Sequence, residues 1–311
     1  VGNLGGVDAV IETSSLSRRY GSVVALDDVT VRIEPGITGL VGSNGAGKST
    51  LLKILLGLQP PSGGRASVLG RDVAVDDGSV RRHVGYMPEH DCLPRDASAA
   101  DFLVRMARLS GLPPAAARER ASDTLRHVGL HDERYRPVGE FSTGMKQRVK
   151  LAQALVHDPD LVLLDEPTNG LDPAGRDEML TLVERIGREF GISVLVTSHL
   201  LRELERTCDS IVVLDAGRLD RVSSVTDMTT TTRTALVEVT DRAEELVDLL
   251  VAAGRGARIA GSTVELEVED DSDYDLVRDG VVDLGVGLVR IQLRRHRVAE
   301  LFGQEVGDAT G

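Results

Sequence analysis

Gly42-Ser43-Asn44-Gly45-Ala46-Gly47-Lys48-Ser49, followed by Thr50, is the stretch on which the rest of the chain turns. It fits G-x-x-x-x-G-K-[ST], a loop whose glycines let successive backbone N–H groups point inward at a phosphate. Its flanks suit that reading. Residues 37–41 form a short apolar run expected to be a buried strand, and residues 49–56 carry the apolar face of a helix. A helix starting at the loop adds its positive N-terminal end. Lys48 is then placed to reach the outer phosphates, and the Ser49 hydroxyl to ligate Mg²⁺. Only four lysines occur (Lys48, Lys53, Lys146 and Lys150), against 32 arginines. A lysine kept in the loop suits phosphate as a compact ammonium on a flexible stem.

The 311 residues allow a full α/β core and one smaller domain. Hydrophobic content of 41% with 27% charged residues is a water-soluble, globular composition. A formal net charge of −13 argues against a broad nucleic-acid-binding face. Residues 235–311 hold 8 Arg and 17 acidic residues, so −9 of that charge lies there. Cys92 and Cys208 are far apart and lack metal-ligand spacing, which fits a reducing compartment. The N-terminal residues lack a signal-peptide pattern, and no apolar run approaches 18 residues. Any membrane role is therefore expected to come through a partner.

Residues 11–33 alternate around Arg19-Tyr20-Gly21-Ser22 and predict antiparallel strands. Turns are expected at 60–64 and 76–78. Residues 97–110, with Phe102, Leu103, Met106 and Leu109 on one face, and residues 115–128 predict helices. Runs at 161–164, 193–197 and 211–214 predict a parallel sheet that a helical insertion interrupts. The polar run 226–234 reads as a linker. Beyond it, strands at 235–239, 257–260, 263–269 and 287–293 and helices at 241–253 and 272–284, with a turn at Gly261-Ser262, give a βαββαβ, ferredoxin-like order.

Leu161-Val162-Leu163-Leu164-Asp165-Glu166 is a buried-strand run ending in two carboxylates. Asp165 suits Mg²⁺, and Glu166 suits the orienting and deprotonation of water. Phe141-Ser142-Thr143-Gly144-Met145-Lys146-Gln147-Arg148 resembles the signature motif of ATP-binding cassette (ABC) ATPases, and it precedes the Asp165-Glu166 strand as in that family. Asn169-Gly170-Leu171-Asp172 resembles the D-loop, and His199 the switch histidine. Five motifs in family order cover about residues 10–220.

The resemblance implies a P-loop NTPase fold: a RecA-like α/β core, an antiparallel β subdomain and a helical subdomain at about 90–157, within a cassette at 8–225. A linker at 226–234 and an accessory domain at 235–311 follow. It also implies that Tyr20 stacks on adenine, that His199 meets the γ-phosphate, and that ATP and Mg²⁺ are the cofactors. Glu166 and His199 are the implied catalytic pair. Ser142, Thr143, Gly144 and Met145 are implied to face the nucleotide of a second cassette, with Asp172 in the D-loop. The partners implied are a homodimer, or paired cassette, and a polytopic permease at the cytoplasmic face of the membrane, with no nucleic acid.

Two positions depart from the family pattern. Thr143 stands where a glycine is usual, and Glu89, in Gly85-Tyr86-Met87-Pro88-Glu89, replaces the Q-loop glutamine. Glu89 can still offer oxygen to Mg²⁺ or water, but as an anion near triphosphate. These features are similar to ATPase subunits of ABC-2-type exporters of the daunorubicin and tetronasin resistance kind. A cassette ATPase acting on ribosomes or DNA is the alternative. The single cassette, the absence of sustained heptads and the intact Glu166 favour the exporter over that reading and over a non-enzymatic adaptor.

Overall fold

A computed structural model describes residues 9–75, 78–199, 201–224, 234–260, 263–268, 270 and 272–294. Chain contacts divide it into two compact units, Val1–Val225 and Thr226–Gly311. The first begins with an antiparallel hairpin, β1 (Ile11–Tyr20) and β2 (Val23–Ile33). β4 (Gly63–Val68) and β5 (Arg71–Asp72) extend it in the order β2-β1-β4-β5.

The second sheet carries the chemistry. It is built from β3 (Ile37–Val41), β6 (Val84–Met87), β7 (Leu161–Leu164), β8 (Ser193–Ser198), β9 (Ser210–Asp215) and β10 (Arg218–Ser224), in the order β10-β9-β3-β8-β7-β6. β9, β3, β8, β7 and β6 run parallel. β3, β7 and β8 are buried at every residue, which accounts for their mainly apolar sequences. The sheet is not wholly parallel as the sequence suggests: β10 returns antiparallel to β9 through the turn at Ala216-Gly217. β6 is too short and broken by Gly85, and β10 too polar, to announce themselves as strands.

Helix α1 (Lys48–Leu55) leaves the phosphate loop and buries Leu51, Leu52, Ile54 and Leu55 in the core cluster that also holds Leu40, Leu163 and Leu195. After α2 (Ser79–His83) the insertion contributes α3 (Ala99–Leu109), α4 (Pro114–His127) and α5 (Thr143–Leu155). In α3 the buried residues are Ala99, Phe102, Leu103 and Ala107. Leu109 is 79% exposed, so its expected place on the core face is wrong. The helix stops there at Ser110-Gly111, and the buried stripe follows the 99–103–107 line instead. Helices α6 (Pro173–Arg188) and α7 (Leu201–Leu204) precede β8 and β9. No helix among the described residues is long and apolar enough to cross a membrane.

The second unit comprises β11 (Thr234–Val239), α8 (Ala243–Ala252), β12 (Ala257–Ala260), β13 (Thr263–Glu267), α9 (Ser272–Leu284) and β14 (Leu288–Arg294). Its strands pair antiparallel in the order β12-β13-β11-β14, the ferredoxin-like arrangement. Ala235, Val237, Leu246, Leu250, Val264, Leu266 and Val277 form its core. Thr234 is not linker but the buried first residue of β11, opposite Glu267 and Arg294. The remainder of the expected linker, 226–233, lies outside the described residues, as do Gly261-Ser262 and 295–311.

Candidate nucleotide-binding site

Parallel register brings four strand ends to one edge. Met87 pairs with Leu164, Leu164 with Val196, and Val41 with Ser198. The residues that follow these ends are Pro88-Glu89, Asp165-Glu166, Gly42 and His199. The C-terminal edge of an open α/β sheet is where such folds collect ligand-binding loops. Here it gathers groups that lie up to 157 residues apart in the chain.

The phosphate loop arches from β3 to α1. Gly47, the N-cap of α1, has φ +100°, and a Cβ there would lie 2.5 Å from the Ala25 carbonyl oxygen on β2. Only glycine meets both demands. The buried Lys48 ammonium donates to the Gly42 carbonyl at 2.6 Å and lies 3.4 Å from Glu166 Oε1. Ser43, Asn44, Gly45, Gly47, Lys48, Ser49, Thr50, Ala25, Glu89 and Glu166 line one cavity of about 240 Å³. Tyr20 is not among them. It ends β1, 40% exposed, with its hydroxyl donating to Gln59 and the Arg18 guanidinium 4.7 Å over its ring.

The two carboxylates after β7 are held separately. Asp165 is buried, and burial first, then Glu89 and Glu166, pushes its carboxyl above the usual range, while hydrogen bonds from Thr197 and Ser49 oppose that. Glu166 has φ +49°, a left-handed conformation costly for a residue with a side chain and often found at functional sites. Its N–H donates to Thr197 Oγ1 at 2.8 Å, and the same hydroxyl donates to Asp165 Oδ1 at 2.9 Å. Glu166 Oε2 lies 2.9 Å from His199 Nδ1, so one carboxylate bridges the phosphate-loop lysine and the strand-end histidine.

The Ser49 hydroxyl lies near the Asp165 carboxylate and helps hold its pKa down, and both are hard oxygen donors of the kind Mg²⁺ takes. Among the described residues no group of three or more His, Cys, Asp or Glu could hold a metal, so a cation here would need phosphate or water oxygens as well. Glu89 reaches the cavity lining, and its Oε1 accepts from Asn169 Nδ2 at 3.1 Å.

Ser142, Thr143, Gly144, Met145 and Asp172 line a different cavity, of about 530 Å³. Ser142 caps α5 by accepting from the Met145 N–H, and Asp172 caps α6 by accepting from the Gly175 N–H. Two helix N-termini thus open at that cavity, and its lining shares no residue with the phosphate-loop cavity.

The ABC transporter family profile matches residues 26–169. Bacitracin transport ATP-binding protein BcrA of Bacillus licheniformis is 36% identical over 214 residues, 68% of this chain and 69% of that protein. This chain belongs to the ABC transporter ATP-binding family. Daunorubicin/doxorubicin resistance ATP-binding protein DrrA of Streptomyces peucetius is 38% identical over 210 residues, covering 67% of this chain and 63% of that protein. Nod factor export ATP-binding protein I of Burkholderia orbicola is 38% identical over 211 residues, 68% and 69% of the two chains. Among solved structures, CbiO1 of Clostridium perfringens, part of the transporter complex cbiONQ, superposes with TM-score 0.66 at 27% identity, covering 72% of this chain and 92% of that one. An ATP-binding subunit of an ABC transporter superposes with TM-score 0.63 at 33% identity, covering 70% and 91%. This cassette is an ATP-binding ATPase.

Sequence reasoning missed several residues that shape the cassette's site. The Thr197 hydroxyl links the Glu166 N–H to the Asp165 carboxylate, and Tyr86 lies beside Asp165, whose charge helps raise the pKa of its phenol. Asn169 holds Glu89, and Lys150 holds the backbone beside it. No spacing rule marks them, though the scarcity of lysine made Lys150 conspicuous.

Proposed function

We propose that this chain is the ATP-driven motor of a membrane exporter that moves a drug-, antibiotic- or lipid-like substrate through a separate polytopic permease. The observation that carries the ATP half is that Lys48, Ser49 and Glu166 line one cavity at one sheet edge, with Asp165 adjacent to Glu166 in the chain and His199 on the Glu166 carboxylate. Lys48 and the loop N–H groups bind the phosphates, Ser49 and Asp165 would hold Mg²⁺, and Tyr20 would stack on the base once the Arg18 guanidinium now over its ring gives way. When bound, Mg²⁺ neutralises charge on the phosphate oxygens. Glu166 orients and deprotonates the attacking water, and His199 fixes that carboxylate while presenting its other nitrogen toward the γ-phosphate.

The separation of the two cavities supports action as a pair. Within one chain the capped helix ends at Ser142 and Asp172 line their own cavity, so they are free to receive the phosphates of a second copy. ATP then joins two cassettes, and hydrolysis releases them, giving two states favoured by different ligands. The export half rests on the names of the relatives. On this reading the chain works peripherally, at the cytoplasmic face, as the partner of that permease.

Glu166→Gln tests the reading. The amide keeps the shape of the carboxylate but is no base, so Mg-ATP binding persists and hydrolysis falls about 10²–10⁴-fold. The same variant accumulates as an ATP-dependent dimer by light scattering. Monomers at saturating ATP, with or without a permease, would rule out the paired reading.

A further inference from the structure

Lys150 has no part in the chemistry described above, yet the residue is only 4% exposed. It projects from α5 about two turns beyond the Ser142 cap and donates 2.8 Å hydrogen bonds to the carbonyls of both Pro88 and Glu89. Burial lowers its pKa, and the neighbouring Cys92, Asp91, Glu89 and Asp165 oppose that shift. A charge buried this deeply is costly unless its donors are satisfied, and the two carbonyls satisfy it. The same helix reaches the other side of Glu89: Gln147 Nε2 donates to the Asn169 carbonyl at 2.9 Å, and the Asn169 amide holds the Glu89 carboxylate.

We propose that Lys150 is a positioning residue that clamps the Pro88–Glu89 backbone to the signature helix, so that the Glu89 carboxylate keeps its place in the phosphate-loop cavity and moves only when α5 moves. The clamp rests on the nucleotide-site reading above and deepens it. It joins the helix whose N-terminus faces a second cassette to the loop that faces the chain's own nucleotide. A signal between the two sites then passes through two hydrogen bonds of one side chain. A lysine suits this role because its three donors rotate freely on a long stem, whereas a methionine of similar length keeps the packing and loses both bonds.

The reporter is already in the chain. Cys92 is exposed in the clamped segment, while Cys208 is buried in the core, so a thiol reagent labels Cys92 selectively. The experiment compares wild type, Lys150→Met and Lys48→Ala for three readouts: affinity for a fluorescent ATP analogue, single-turnover hydrolysis, and the Cys92 labelling rate with and without Mg-ATP.

For Lys150→Met, affinity stays near wild type while turnover falls roughly 10- to 100-fold, as for a misplaced group near the reacting atoms. Losing the Lys150 ammonium also makes the Cys92 thiolate scarcer, so the readout is the ratio of labelling rates with and without Mg-ATP, which falls to one in Lys150→Met. Wild-type turnover together with wild-type labelling in Lys150→Met overturns the clamp, as does a lower unfolding midpoint with an unchanged labelling response. Failure of the underlying reading looks different: wild type itself then does not bind the analogue, or Lys48→Ala binds it equally well. Should Lys150→Met not fold, Lys150→Gln carries the same comparison. Its amide can still donate to one carbonyl, so intermediate turnover and labelling support the clamp, and wild-type values overturn it.

Discussion

At the scale of the residue, the site is a set of polar groups held by unusual local arrangements. Glu166 accepts a left-handed backbone because the Thr197 hydroxyl takes its N–H while Lys48 and His199 take its carboxylate. Lys48→Ala removes the loop's only side-chain cation. Hydrogen bonds to charged groups contribute about 1.5–3 kcal/mol, so ATP affinity falls roughly 10- to 150-fold by that estimate, read by equilibrium binding of a fluorescent analogue. Tyr86 gives a pH prediction. Burial, then Asp165, Cys92 and Glu89, pushes its phenol from an ordinary 10.0 up to about 12. The folded state therefore keeps the proton longer than the unfolded chain does. This contribution to stability is fully present below pH 10 and is lost as pH rises through about 12. In a phenolate-absorbance titration, one of the four tyrosines ionises late, and Tyr86→Phe removes that late step.

At the scale of the element, close approach matters more than propensity. Gly85, at the second position of β6, lies so near the Ala154 carbonyl on α5 that a Cβ would overlap it. The backbone of α5 cannot give way as a flexible side chain could. Gly85→Ala therefore destabilises the fold by about 1–3 kcal/mol, the usual cost of overpacking, read as a lower denaturant midpoint with little change in slope. Because β6 leads straight into Pro88-Glu89, the same variant shifts the loop that lines the phosphate cavity. The periodic elements were legible in the sequence: β3, β7 and β8 as buried runs, α1, α4 and α9 as helices. β6 and β10 were not, because a four-residue strand carrying Gly85 and an edge strand written Arg-Leu-Asp-Arg-Val-Ser-Ser offer no hydrophobic period. Leu109 failed for the opposite reason. Its spacing fits the helix face, but the helix ends before anything can cover it.

At the scale of the whole molecule, two compact units with separate apolar cores share one chain. Residues 1–225 alone are expected to fold and bind ATP, because the core that supports the phosphate loop draws no described residue from beyond Leu219. An aggregated truncation, or one without nucleotide affinity, would mean that the second unit completes the first.

The sequence alone determined the phosphate loop, the Asp165-Glu166 strand end, the signature and the order of motifs, because each of these is a local pattern in which backbone conformation and chemistry are written in adjacent residues. It also determined the βαββαβ order of the second unit, since alternating strands and helices leave a period in the text. Only the tertiary structure decided which groups meet. The Thr197 hydroxyl between the Glu166 N–H and the Asp165 carboxylate, the Glu166 bridge from Lys48 to His199 and the Lys150 clamp on Pro88 and Glu89 join positions 31 to 118 residues apart. Such contacts depend on strand order and parallel register, which set the distances between strand ends and leave no trace in local spacing.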